Sequence, residues 1–155
     1  MRKWIRRFFF AWAAFVTLYL ANSVRTQRVE PRTLVDSANS EVSDAGVALV
    51  FEPKKAPDDS ALAFVCGSGI AAQAYAPLLR PIADAGYPVF IVRLPYRFAP
   101  LDSHKDEALA RIGGIIQSRA GTRWVLSGHS LGAALAARFA TENRDRIASL
   151  VLIGT

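Results

Sequence analysis

Trp124-Val125-Leu126-Ser127-Gly128-His129-Ser130-Leu131-Gly132, running on into Ala133-Ala134-Leu135-Ala136-Ala137, is the stretch that decides how the chain is read. An apolar strand reaches a tight turn and leaves it as a helix of small residues. Gly128 to Gly132 fits G-x-S-x-G, the strand-turn-helix pattern in which a strained serine holds its hydroxyl clear of the end of a sheet. Gly128 and Gly132 fall where the incoming strand and outgoing helix nearly collide, so a side chain at either would force the turn open. A hydroxyl so placed becomes a nucleophile once a base takes its proton. The tetrahedral oxyanion that follows needs preorganised N–H donors, each worth about 3 to 4 kcal/mol of transition-state stabilisation. Leu131 opens the helix, so its N–H is one of the unpaired N-terminal donors at the positive end of the dipole. A tight turn with an incidental serine is the plainer account, and the order of the surrounding elements speaks against it.

Working back from the elbow, Val89 to Leu94, Ala61 to Cys66 and Gly46 to Glu52 are apolar runs of strand length, and Ile147 to Ile153 is another beyond it. Continuous apolar runs suit a parallel sheet covered on both faces. Between them lie helical stretches. Ala71 to Ala85 carries Leu78, Leu79, Ile82 and Ala85 on one stripe before Gly86, with Pro77 and Pro81 placing its regular part at or after Pro77, or kinking it. Ser103 with Asp106 resembles a capping box for a helix from about His104 to Arg119. Leu131 to Asn143 is the elbow's own helix, with Leu135 and Phe139 at core spacing. Gly67-Ser68-Gly69 lets the backbone after the second strand approach another segment closely, and Pro95 to Asp102 is a proline-bounded loop. Strands separated by such helices imply right-handed crossovers and an α/β architecture of three layers, helix, sheet and helix.

Ahead of this body, a basic segment from Met1 to Arg7 precedes Phe8 to Ala21, which is apolar but for Thr17. That is the composition of a membrane-targeting leader. Ala21-Asn22-Ser23 offers small residues for cleavage. Arg25 and Arg28 close behind, with Trp4 and Tyr19 at the two ends, fit instead an uncleaved anchor through residues 4–21. Either outcome puts the body outside the cytoplasm, membrane-anchored or exported. Residues 1–28 are therefore read as leader, and 29–45, polar and weakly periodic, as a linker passing into a helical turn or an edge strand. The net charge of +6 sits in the leader: Arg2, Lys3, Arg6, Arg7, Arg25 and Arg28 belong to it, leaving 13 basic against 13 acidic residues afterwards. No basic face for nucleic acid is indicated. Cys66 stands alone, which excludes an intrachain disulfide and a cysteine-rich metal site.

From about Gly46 to Thr155 the sequence resembles the α/β-hydrolase fold-5 family of bacterial serine hydrolases. The resemblance rests on Ala74-Tyr75-Ala76-Pro77-Leu78 after the glycine loop, on Ala85-Gly86-Tyr87-Pro88-Val89, and on Arg123-Trp124-Val125-Leu126 leading into Gly128-His129-Ser130-Leu131-Gly132. Asp145-Arg146-Ile147 before Leu150-Val151-Leu152 completes it. It implies Ser130 as nucleophile, an oxyanion hole from the N–H groups of Leu131 and of the glycine loop, where Ser68 is the first candidate and Gly69 its neighbour, and Gly128, His129 and Gly132 as the structural elbow. It implies a small-molecule acyl substrate, an ester, thioester or similar, and neither cofactor nor metal.

In that family the triad runs Ser, Asp or Glu, then His along the chain, and no histidine follows His129. Glu142 and Asp145 are the downstream acids, on or just after the elbow helix. His129, beside the nucleophile in a strained turn, is expected to point away from its hydroxyl, and His104 to sit in a surface helix cap. The reading is thus a hydrolase portion over 46–155, incomplete at its C-terminal side. The 155 residues alone are expected neither to hydrolyse esters at an enzymatic rate nor to fold stably. The rival reading is a catalytically inactive pseudo-hydrolase or remnant that serves as a binding module. Arg93 and Arg97, after a strand end, are expected in solvent or in ion pairs, with a contact to a substrate carboxylate as the alternative. Cys66 is expected as a small core residue.

Overall fold

The computed structural model of the chain describes residues 2–23, 29–55 and 59–154. The basic and apolar leader forms one helix, α1 (Arg2–Ser23). At about 1.5 Å per residue its 22 residues reach roughly 33 Å, enough for a hydrocarbon layer of about 30 Å. None of Lys3–Asn22 is buried, and the helix is long and apolar enough to cross a membrane. Arg25 and Arg28 lie outside the described residues, as do 56–58 of the turn before the second apolar strand.

The apolar runs assemble into a six-stranded sheet of order β1-β2-β4-β3-β5-β6. The strands are β1 (Ser40–Asp44), β2 (Ala48–Pro53), β3 (Ser60–Val65), β4 (Val89–Val92), β5 (Arg123–His129) and β6 (Ile147–Ile153). From β4 through β3 and β5 to β6 the pairing is parallel, whereas β1 with β2 and β2 with β4 are antiparallel. The sheet is therefore mixed rather than wholly parallel. Apolar runs do not carry direction, and β2 is joined to β1 by a turn too tight for a crossover: Gly46 there takes φ +73° and donates its N–H to the Asp44 carboxylate at 2.9 Å. The stretch read as a linker supplies both alternatives weighed for it, a 3₁₀ turn over Pro31–Leu34 and the edge strand β1.

Three helices follow in chain order: α2 (Ala76–Asp84), α3 (Asp102–Gln117) and α4 (Leu131–Glu142). Pro77 falls in the first turn of α2, where its missing N–H costs nothing, and a 3₁₀ turn over Ala72–Tyr75 leads in. Leu79, Ala76 and Ala83 of α2 pack on Phe51, Phe64 and Ile91 on one face of the sheet. Ile112 and Ile116 of α3 and Leu135 and Phe139 of α4 pack on Val65, Trp124 and Leu126 on the other. Ser103 does not cap α3. The helix begins two residues earlier, at Asp102 behind Leu101, no side chain caps it, and Asp106 instead pairs across to Arg138 of α4.

The chain leaves β3 toward β4 on one side and returns through α3 to β5 on the other. The carboxyl ends of β3 and β5 thus flank the point where the strand order reverses, the place at which open α/β sheets receive ligands. Val65 pairs with Gly128 there, bringing the glycine loop and the elbow side by side.

Candidate active site

Ser130 sits between β5 and α4 with φ 51° and ψ −123°, a conformation that costs a residue with a Cβ about 1 to 3 kcal/mol. The turn can close around it because Gly128 and Gly132, two positions to either side, lack side chains. A Cβ on Gly128 would run into the Gly132 carbonyl, and one on Gly132 into the Val65 and Cys66 carbonyls. The Ser130 N–H donates to the Ile153 carbonyl at 2.9 Å, so β6 ties down the elbow from outside. Its carbonyl receives the N–H of Ala133 at 2.9 Å. Leu131, the first residue of α4, has no carbonyl a turn behind it for its own N–H.

Across from the elbow, Gly67, Ser68 and Gly69 cap β3. Gly69 takes φ +78° and gives its N–H to the Arg97 carbonyl at 2.8 Å, so that amide is engaged. The Ser68 hydroxyl reaches the Phe98 carbonyl at 3.4 Å, and among the described residues no carbonyl takes the Ser68 N–H. The loop that holds these two residues is itself unusual, with Tyr96, Arg97 and Ala99 all at positive φ. Sequence reasoning marked it only as a loop, because nothing in its composition, prolines included, announces a left-handed backbone at tyrosine or arginine.

The two histidines are occupied elsewhere. His129 Nδ1 lies 3.0 Å from the Tyr75 hydroxyl, which also receives the Gly67 N–H at 3.0 Å. Its Nε2 edge faces Gly154. The ring is thus held between the glycine loop and the end of β6. His104 lies in the first turn of α3 rather than at its cap, with its ring 4.7 Å from that of Tyr96. Among the described residues neither histidine hydrogen-bonds the Ser130 hydroxyl. Glu142 ends α4, about 16 Å along the helix from the elbow, and pairs with Arg138 at 3.1 Å.

Two further candidates resolve into structure. Arg93 makes a bidentate pair with Asp44, at 2.5 and 2.8 Å, and donates to the Gly46 carbonyl at 2.9 Å, so it fastens the β1–β2 turn. That bond, with the Gly46 N–H, holds the Asp44 carboxyl below its usual range. Cys66 is buried, and burial pushes its thiol up to about 12, which leaves no thiolate near neutrality. Tyr75 was legible only as part of a family motif, not as part of the site. Burial likewise raises its phenol above the ordinary value, with the Gly67 N–H opposing the shift.

The fold has counterparts. A model of the alpha/beta hydrolase family matches residues 61–155. The chain belongs to that family. No curated protein sequence matches it. Among solved structures, the chain resembles a bacterial heroin esterase at TM-score 0.59 and 17% identity, over 90% of this chain and 49% of that one. A monoacylglycerol lipase of Paleococcus ferrophilus gives TM-score 0.57 and 25% identity, over 72% of this chain and 42% of that one. A thermostable carboxyl esterase from Bacillus coagulans gives 0.54 and 15%, over 73% and 43%. The chain thus spans less than half the length of these structures. These likenesses show the fold that the family match implies.

Proposed function

We propose that this α/β-hydrolase cleaves an ester, thioester or similar acyl substrate through an acyl-enzyme on Ser130. The observation that carries the reading is the strained Ser130 on the turn between β5 and α4, with the Leu131 N–H at the helix start beside it. The Ser130 oxygen attacks the acyl carbonyl as its proton passes to a base. The carbonyl π electrons move onto oxygen, and the Leu131 and Ser68 N–H groups receive that charge. Collapse expels the alcohol or thiol, which takes the proton, and water repeats the sequence to free the acid. Gly69, with its N–H already given to Arg97, is left out of the hole and braces it. The test is a fluorophosphonate probe on the full-length protein, with mass spectrometry of the adduct. A modified Ser130 peptide is expected; an adduct only elsewhere removes the assignment, and no adduct at all favours the inactive binding module.

Residues outside these 155 are proposed to supply the acid and the base. Three observations support this: neither histidine reaches Ser130, Leu150, Val151, Leu152 and Ile153 of β6 are each 38 to 48% exposed, and an apolar cavity of about 520 Å³ opens beside β6 on the α2 face. The 155-residue polypeptide is accordingly expected to cleave a nitrophenyl ester no faster than the residual level of a triad knockout, about 10³ to 10⁴-fold over water. Ser130-dependent turnover well above that level would return His104 or His129 to consideration as base.

The division into leader 1–28, linker 29–45 and hydrolase portion 46–155 is proposed with one adjustment. Since β1 joins the sheet and Arg80 donates to the Arg32 carbonyl at 2.8 Å, the folded body takes in the chain from about residue 30. The helix α1 is proposed to anchor the protein in a membrane or direct its export. A reporter enzyme fused after Arg28 should partition with membranes or outside the cytoplasm, and a soluble cytoplasmic fusion would refute this.

A further inference from the structure

The two proposed arms of the oxyanion hole come from different elements, and a single hydroxyl joins them. Gly67, one residue before Ser68, donates its N–H to the Tyr75 oxygen at 3.0 Å, and that oxygen lies 3.0 Å from Nδ1 of His129, two residues before Leu131. A hydroxyl has one proton and two lone pairs, so it can accept from Gly67 and still share a second hydrogen bond with the ring nitrogen, as donor or acceptor according to the imidazole tautomer. The contact is close on every side. A Cβ on Gly67 would lie 2.5 Å from His129 Nδ1 and 3.1 Å from the Tyr75 oxygen. Tyr75 itself is fixed by the 3₁₀ turn it ends and by the Phe64 ring, 4.7 Å away between centroids.

We propose that Tyr75 is the positioning residue of the oxyanion hole, its hydroxyl locking the glycine loop to the elbow through Gly67 N–H and His129 Nδ1. The inference rests on the reading of Ser130 as nucleophile. A bridge of this kind sets the distance between the Ser68 and Leu131 amides, and an oxyanion hole works only when both donors lie about 2.7 to 3.1 Å from the place where charge develops. His129 then acts as the elbow's handle, which accounts for a histidine whose ring bonds Tyr75 rather than the nucleophile. On the far side, the Arg97 carbonyl and the Phe98 ring press on Gly69, so the loop is held from both directions and the Tyr75 bond sets where it comes to rest.

The test uses the full-length protein and a nitrophenyl ester. Tyr75→Phe keeps the ring packing and removes only the hydroxyl. It is expected to lower kcat about 10- to 100-fold, within the range for losing part of an oxyanion hole, with KM nearly unchanged. Affinity for a trifluoromethyl ketone, whose adduct carries the same oxyanion, should fall by the same factor. A role in packing alone would not tie these two losses together. Tyr75→Phe and His129→Leu remove the same bond from opposite ends, so the double variant should lose little more than either single one. Unchanged kcat in a folded Tyr75→Phe protein, or losses that multiply in the double variant, would overturn the proposal. Should Tyr75→Phe fail to fold, His129→Leu carries the same kcat and ketone criteria. Turnover that survives Ser130→Ala would instead strike the reading of the nucleophile, separately from the bridge.

Discussion

Ser130→Ala in the full-length protein is expected to lower kcat for a nitrophenyl ester by about 10⁶-fold, the scale of losing a nucleophile whose partners then have nothing to activate. Two features make so large an effect specific. Alanine keeps the Cβ that already occupies φ 51°, so the elbow, the Ile153 tie and the stability of the fold should be untouched. No neighbouring group can step in, because the Cys66 thiol is buried and stays protonated, and the Ser68 hydroxyl is turned to the Phe98 carbonyl. KM should move little, since the backbone donors remain in place. Steady-state kinetics with matched denaturation curves check both halves. A loss smaller than about tenfold in a folded variant would mean that Ser130 does not carry the acyl group.

How much of this was legible beforehand depended on whether the relevant contact was local. The elbow could be read because its pattern is local, with Gly128, Ser130 and Gly132 in one turn, although the atoms that exclude a side chain at Gly132 are the carbonyls of the β3 end. Strands β3 to β6 and helices α2 and α4 followed from runs of apolar residues and from helical spacing. Three features were not readable, each for a physical reason. The antiparallel pairing of β2 depends on which neighbour it finds, and an apolar run carries no direction. The start of α3 was misplaced because Ser103 and Asp106 have the right types at the right spacing, yet Asp106 is claimed by Arg138 from another helix. The proposed preference for Ser68 over Gly69 rests on the Arg97 carbonyl, nearly thirty positions away in sequence, in a loop whose positive φ values no residue type foretells. Tyr75 belongs with these, since its two partners meet only when the sheet has formed.

Gly132→Ala should cost the full-length protein several kcal/mol, against the direction that helix propensity alone would give. Alanine is the better helix former by about 1 kcal/mol, so at a neutral site in α4 the exchange would stabilise. At this one, the new methyl would meet the Val65 and Cys66 carbonyls of the β3 end. Those atoms are backbone and cannot swing aside as a flexible side chain would. Val65 pairs with Val92 on one side and Gly128 on the other, and Cys66 donates its N–H to the Val92 carbonyl at 3.0 Å. Relief therefore requires α4 to lift from the sheet, which opens the Leu135 and Phe139 contacts and carries the Leu131 N–H away from Ser130. Overpacking of this kind typically costs about 1 to 3 kcal/mol, and more where the obstacle is rigid. Gly114→Ala, on the exposed face of α3 with nothing within 4 Å of a new Cβ, is the matched control and should raise stability by about 1 kcal/mol. Denaturant midpoints measured side by side should move in opposite directions. If both variants gained stability, α4 would not be pressed against the end of β3, and the close approach that strains Ser130 into position would have to be abandoned.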